Sequence, residues 1–405
     1  MNALSETPEA TRWLERFSDV DRPTAIALID EILLVSRDDF SNGLDALLDA
    51  AVAEAGGPVA LFGERPIKKV YGKIPAFFRN SRRGRAEGAG GQPIIVDPRD
   101  QEVGSEGIVA NLITDYSRRH ENTCFPYPGP TKMRDEKVRA IILVTDFIGS
   151  GDRITRMLEA FRYVATIRSW RSYKLIRFVV VAYSGLDAGI AKVRSHRLKP
   201  EVRTFTGCPT LKGAFTGNVL RDIERLCRSY PKGHREPLGY KTGGALIAFS
   251  HGSPNNAPPI LHSRSAKWVP LFKGRSTTGV LAPLLTDAEY SDAHQRVTKL
   301  LGIRGARKEL SSGAGNRWIS TMLVLAAAER GVRQPVKISA KTHLSVGEVT
   351  SLRALAIDAG WLDSTTRLTP LGRRELARLR RRRRRAPILA ANTEQYYYPT
   401  QLRAP

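Results

Sequence analysis

The stretch AIILVTDFIGSGDRI, residues 140–154, decides how this chain is read. Its first five residues are apolar, three of them β-branched, and the run ends in Thr145-Asp146. A continuous run of this kind predicts a strand over 140–147 buried on both faces, as in a parallel sheet covered by helices. A short Gly/Ser loop and a helical pattern over 151–169 follow. The carboxyl end of a central parallel strand is where open α/β sheets bind ligands. Ser150, Gly151 and Asp152 fall at the start of the next helix, where unpaired N–H groups and the helix dipole favour a phosphate. Gly149 and Gly151 let the backbone come close to it. Asp146, at the strand end, is placed to accept hydrogen bonds from sugar hydroxyls or to reach a metal.

Working outward, further strands are predicted at 58–64, 93–98, 175–184 and 245–251, with helices at 105–119 and 214–229. Alternating strands and helices argue for an α/β fold with a parallel sheet. Upstream, Trp13, Leu14 and Phe17, then Ala25, Ile26, Ile29 and Leu33, repeat at helical spacing. Leu44, Leu47, Leu48 and Val52 share one further face, which Gly56-Gly57-Pro58 ends. Residues 1–56 are therefore expected to be an acidic helical cap on an α/β domain spanning 57–295. Within that domain, 80–92 is rich in Gly and Arg and reads as a mobile loop. Over 300–379 the order is helix, helix, helix, wing. Residues 318–331 and 336–344 form the first two helices, and an S-x-x-E capping box, Ser345 to Glu348, opens the third. A turn at 363–366 and a last helix complete a winged helix-turn-helix. Residues 380–405 form an arginine-rich tail that also carries Tyr396, Tyr397 and Tyr398.

The 405 residues are enough for two or three domains at roughly 150 residues each. With 41% hydrophobic residues the chain can build full cores. The 64 basic and 40 acidic side chains leave a formal charge of +24, which favours an anionic partner. That charge is uneven: residues 1–56 hold 4 basic and 12 acidic side chains, residues 301–405 hold 20 and 7. No apolar run is long enough for a membrane span, no export signal is visible, and the three cysteines lack a CxxC pattern. A cytoplasmic protein without disulfides or structural zinc is expected. HExxH, GxSxG and Walker A motifs are absent from the sequence, which removes support for metalloprotease, serine hydrolase and P-loop readings.

Several other residues are candidates with two readings each. Ser105 and Glu106 sit in a GSEG turn at a helix start. Glu106 there is either a catalytic group or a charge that suits the helix dipole. Asn255 and Asn256 follow the strand at 245–251 and either form an Asx turn or bind a base or ribose. His251 beside them is the best-placed histidine for acid–base work, or a structural one. In the winged helix, Thr350, Ser351 and Arg353 are expected to face the major groove, with Arg367 near a phosphate. Such modules also dock proteins. Arg380, Arg381, Arg382, Arg383, Arg384 and Arg385 would add sequence-independent, salt-sensitive affinity for nucleic acid.

The 140–154 stretch resembles the phosphoribosyl-pyrophosphate loop of the phosphoribosyltransferase fold. Asp146, Ser150 and Gly151 match that pattern. Thr145 stands where the pattern has its first acid and Arg153 where it has a final Thr or Ser. Together with the GSEG turn, the Pro254-Asn255-Asn256 run and the EQYYYPTQLR ending, the chain resembles the phosphoribosyltransferase-like family of prokaryotic conflict systems, PRTase-CE. PNNAPPILH departs from that family's usual continuation after PNN. The resemblance implies an antiviral-defence effector whose central domain takes a phosphoribosyl or nucleotide ligand. It implies that Asp146 holds the ribose and that Ser150 to Asp152 hold the phosphate. Loss of one acid points to binding rather than fast transfer. Mg²⁺ is the divalent ion expected to bridge a pyrophosphate. The expected partner of the C-terminal region is nucleic acid or a nucleic-acid-bound protein. The rival reading is a ligand-sensing transcriptional regulator with a catalytically silent phosphoribosyltransferase fold. A third is a pure interaction module.

Overall fold

The computed structural model describes residues 4–79, 85–88, 90, 105–265, 267–275, 277 and 313–382. Its centre is a five-stranded, all-parallel sheet. The strands are β2 (Val59–Gly63), β3 (Cys124–Pro126), β4 (Ala140–Ile148), β5 (Arg177–Gly185) and β6 (Glu201–Thr204), in the order β3-β2-β4-β5-β6. β4 is buried along its length except at Asp146, and β5 except at Arg177, which explains their unbroken apolar runs. Helices α4 (Ser105–Arg119), α5 (Pro130–Asp135), α6 (Asp152–Arg162), α7 (Ala165–Ser172) and α8 (Asp187–Arg194) make the crossovers. From β2 the chain moves out to β3, then returns to the other side of β2 to form β4. Connections leave in opposite directions from β2 and β4, so the ligand crevice of such a sheet lies between their carboxyl ends.

The N-terminal helices α1 (Pro8–Leu14), α2 (Arg22–Ile29) and α3 (Arg37–Ala55) divide between two cores. Phe40, Leu44 and Leu48 of α3 join the sheet core. Trp13 and Phe17 pack instead with Trp268 and Tyr230, in a second core shared with α9 (Leu211–Ala214) and α10 (Gly217–Ser229). The helical spacing expected through Leu33 stops at Ile29. Leu33 opens a short strand, β1 (Leu33–Val35), which pairs in parallel with β7 (Ile247–Phe249). The strand expected at 245–251 thus lies in a separate two-stranded sheet, not in the central one. The pattern over 151–169 predicts one helix, whereas the chain forms α6 and α7 with Tyr163 and Val164 between them. The strand expected at 93–98 lies outside the described residues. Ala86, in the segment read as a loop, is fully buried and anchored: its N–H donates to Thr166 Oγ1 at 2.8 Å and its carbonyl accepts from Arg134 at 3.1 Å.

The C-terminal unit holds α11 (Gly313–Glu329), α12 (Pro335–Thr342), α13 (Val346–Asp358) and α14 (Pro370–Arg382) around their own apolar core. The capping box forms in full at the start of α13: the Ser345 hydroxyl accepts from Glu348 N–H at 3.1 Å, and Ser345 N–H donates to the Glu348 carboxylate at 2.8 Å. The wing is a single bridge, Leu362 to Leu368, closed by the turn at Asp363. Arg380, Arg381 and Arg382 continue α14, so the arginine run begins as helix; Arg383, Arg384, Arg385 and the tyrosine cluster lie outside the described residues. The unit docks on the α/β domain. Gly207 N–H donates to Ser339 Oγ at 2.9 Å, and Val346 N–H donates to Phe205 C=O at 2.7 Å. No helix among the described residues is long and apolar enough to cross a membrane.

Candidate functional site at the ends of β2 and β4

Register places the site. Gly63 of β2 pairs with Val144 of β4, so Glu64 emerges beside Thr145 and Asp146. The Thr145 hydroxyl donates to Glu64 Oε2 at 2.5 Å. Glu64 also forms an ion pair with Arg153 Nε at 2.7 Å, and Arg153 reaches on to Glu106. Burial raises the Glu64 pKa to about 7, against the pull of Arg153 and Thr145. Burial likewise works against the Arg153 charge, but Glu64 and Glu106 outweigh it and its pKa lies above the ordinary value. Asp146 Oδ1 accepts Phe147 N–H at 2.7 Å, and His251 Nε2 lies 3.3 Å from Asp146 Oδ2. The imidazole is stacked on Phe249 and meets Phe40 edge-on, so it is held in place by rings from β7 and α3.

The loop after β4 is shaped by close approaches. Gly151 has φ +74°, and a Cβ there would come 2.6 Å from Gly189 C=O. A Cβ on Gly149 would come 1.9 Å from Asn256 Oδ1. Asn256 is buried, donates to Tyr240 C=O at 3.0 Å, and braces the loop from the far side. Asn255 is exposed at the rim, and its carbonyl accepts Tyr240 N–H at 3.0 Å. Ser150 Oγ donates to Asp152 at 2.8 Å. The Asp152 carboxylate also binds Lys192 and, at 2.5 Å, Lys241, and hydrogen bonds from those two lysines hold its pKa far below the usual range. Asp152 is thus held ionised and paired with two lysines.

Glu64, Asp146, Gly149 to Arg153, Tyr240, Asn255, Asn256 and Arg275 surround a cavity of about 330 Å³. The cavity is lined both by the Glu64 and Asp146 carboxylates and by the start of α6. Such an arrangement suits ribose hydroxyls at the acids and a phosphate at the loop. Ser105 is the first residue of α4, with Glu106 next to it facing Arg153. Among the described residues no group of three or more His, Cys, Asp or Glu side chains could hold a metal ion by itself. Mg²⁺ commonly binds through one or two carboxylates plus substrate phosphates, and Asp146 and Glu64 are hard oxygen donors of that kind.

The candidate side chains of the winged helix are arranged differently. Ser351 and Arg367 are exposed, and Thr350 donates back to Val346 C=O at 2.8 Å. Arg353 is partly buried, and its guanidinium donates to Thr366 Oγ1 in the wing turn at 2.5 Å. It braces the wing from α13. Sequence reasoning did not single out Glu64, Tyr240, Lys241, Lys192 or Arg275. Glu64 had a usable signal, an acid directly after an apolar strand. The others sit in loops or on helices, and only the tertiary fold brings them to the site.

A parallel sheet with this switch point, a Gly/Ser loop after β4 and a C-terminal winged helix define a phosphoribosyltransferase-like protein with an appended winged helix-turn-helix. The PRTase-CE family matches residues 10–273, and a domain described as wHTH-PRTase associated matches residues 322–404. The chain belongs to the PRTase-CE family. No curated protein and no solved structure matches it.

Proposed function

We propose that this protein is a phosphoribosyltransferase-like defence effector. It binds a phosphoribosyl or nucleotide ligand between β2 and β4 and engages nucleic acid, or a nucleic-acid-bound protein, through its winged helix. The defence role rests on the family resemblance. The ligand rests on one observation: Glu64, Asp146 and the Gly/Ser loop line a single cavity at the switch point, with His251 held against Asp146 from behind the lining. Glu64 supplies, from β2, the carboxylate that Thr145 lacks on β4. Turnover would be transfer or hydrolysis at ribose C1, with Asp146 on the ribose hydroxyls. A carboxyl titrating near neutrality is suited to moving a proton.

Titration calorimetry with phosphoribosyl pyrophosphate and Mg²⁺ tests this. The parent should bind, and Asp146→Asn should weaken binding at least tenfold, about 1.4 kcal/mol. Absence of binding by both ends the reading. The nucleic-acid half predicts affinity that falls with salt, and removal of the arginine run should flatten that slope by up to about 0.7–0.9 per lost contact.

The direct docking of α12 on Gly207 gives weight to a second reading, a ligand-sensing regulator. A regulator should prefer one duplex sequence over unrelated ones, and an effector should not.

A further inference from the structure

The phosphate loop has two sides. Gly149, Ser150, Tyr240 and Asn256 line the cavity that holds Asp146, and they also line a second, larger cleft of about 770 Å³. The second cleft runs between α8, the 208–214 segment and α12 of the winged helix. Its volume falls in the range of clefts that bury drug-sized ligands, about 300–1,000 Å³. The chemistry of the two spaces differs. Glu64 and Asp146 line only the smaller one. Five lysines, Lys192, Lys212, Lys241, Lys337 and Lys341, line only the larger one, against the acids Glu31 and Asp187. Leu186, Val336 and Ala340 give the same cleft apolar wall. Lys192 and Lys241 meet at Asp152, at the junction, so a carboxylate already occupies an anion position between two ammonium groups.

A ribose 5-phosphate monoester needs only the smaller space: hydroxyls at the acids, phosphate at the loop. Nothing in such a ligand would use a cationic, part-apolar cleft opening from the far side of the same phosphate. A phosphodiester would. From it, we infer that the ligand of this site is a nucleotide esterified at its 5′-phosphate, namely the 3′-terminal nucleotide of a single-stranded nucleic acid. The terminal nucleoside sits between β2 and β4. Its 5′-phosphate sits at Gly149 and Ser150, and the preceding nucleotides run through the lysine-lined cleft beneath the winged helix. Lysines track the phosphates and the apolar wall takes a base, the usual division in single-strand grooves. A strand is favoured over a free dinucleotide because one wall of the cleft is the winged helix, in the most basic part of the chain. The inference rests on the proposed ribose-phosphate site and extends it.

The test uses the full chain and three probes: ribose 5-phosphate, the dinucleotide pApA, and a single-stranded octanucleotide with a free 3′ end. Two variants address the cleft alone. Ala188→Trp fills it from an exposed position on α8, and the double variant Lys212→Glu/Lys337→Glu reverses charge at two exposed lining residues, one in the 208–214 segment and one on α12. Both should weaken the octanucleotide at least tenfold and leave ribose 5-phosphate within twofold. The charge reversal should also reduce the octanucleotide's salt slope by about 0.7 per lost contact. A 3′-phosphate on the octanucleotide, placed against Glu64 and Asp146, should weaken it at least tenfold. Dinucleotide affinity equal to that of the octanucleotide would replace the strand with a free dinucleotide and overturn that assignment. Octanucleotide binding unchanged in both cleft variants would overturn the cleft, while the site between β2 and β4 would stand. Asp146→Asn should weaken every probe. If it weakens none, the underlying site reading fails instead.

Discussion

The polar side chains at the end of β4 are held by distant parts of the chain, and those on α13 by near ones. Thr145 is paired with a residue 81 positions away, Asp146 with one 105 away and Asp152 with one 89 away. On α13, Thr350 binds four residues back, Ser345 binds three ahead, and Arg353 reaches 13 residues to the wing turn. Local bonds of the second kind build a domain and follow from helix capping and turn chemistry. A partly buried network assembled from β2, β4, α4, α8 and the 240–256 segment serves no such local need. It desolvates charges, and strongly perturbed groups gather where binding or chemistry needs them.

Glu64 offers the strongest way to break this contrast. Its folded pKa of about 7 lies above the ordinary glutamate value of 4.5. The native state therefore holds the proton longer than the unfolded chain. The stability associated with it is complete below about pH 4.5 and is lost as pH rises through about 7. At about 1.36 kcal/mol per pKa unit the loss is roughly 3 kcal/mol. Glu64→Gln lacks this titration. Compared with the parent by urea denaturation, the variant should therefore gain roughly that much relative stability between pH 4.5 and pH 8. A difference that stays flat with pH would mean that Glu64 is solvated like any surface acid, and the long-range network would lose its central member.

Next in size is the packing that shapes the loop. A Cβ on Gly189 of α8 would come 2.0 Å from Gly149 C=O, which is backbone and cannot swing aside. Gly189→Ala should destabilise the protein by about 2 kcal/mol, the middle of the overpacking range. It should also displace the loop, so that phosphoribosyl pyrophosphate binding falls further than stability alone requires. Unchanged binding in a folded Gly189→Ala protein would separate the loop's shape from its proposed ligand.

The same contrast governs what can be read from residues alone. β4, β5 and the capping box at Ser345 and Glu348 are legible because their signals are contained in a dozen neighbouring positions. Asp146 and the Gly/Ser loop are legible for the same reason. β1, β3 and β6 span three or four residues each, too short for a period of two to stand out. Leu33 fits the helical spacing of Ala25 to Ile29 by coincidence of phase, and only its pairing with Ile247 makes it strand. Glu64 becomes a site residue once β2 is known to lie beside β4. Lys241 and Arg275 depend on where the long 230–277 segment folds back. None of these contacts has a fixed sequence spacing.

The smallest expected effect belongs to Arg353, and it decides what α13 is for. Its guanidinium is partly buried and donates to Thr366 Oγ1, with Thr366 at a left-handed φ of 64° in the turn. A brace of this kind should be worth about 1 kcal/mol, the typical net contribution of an intramolecular hydrogen bond. Arg353→Ala should lower winged-helix stability by about that amount, and Thr366→Val should reproduce the effect because it removes the other partner. Nucleic-acid affinity should then fall by a similar factor for all sequences, since the wing is loosened as a whole. A base-reading arginine predicts the opposite pattern: stability unchanged, and discrimination between two unrelated oligonucleotides altered by about 1–3 kcal/mol. Measuring melting and affinity on both variants separates the two, because Thr366→Val leaves Arg353 in place. If Arg353→Ala alters sequence preference and Thr366→Val does not, then α13 carries a recognition surface, and the difference between the two regions narrows to one of distance rather than of purpose.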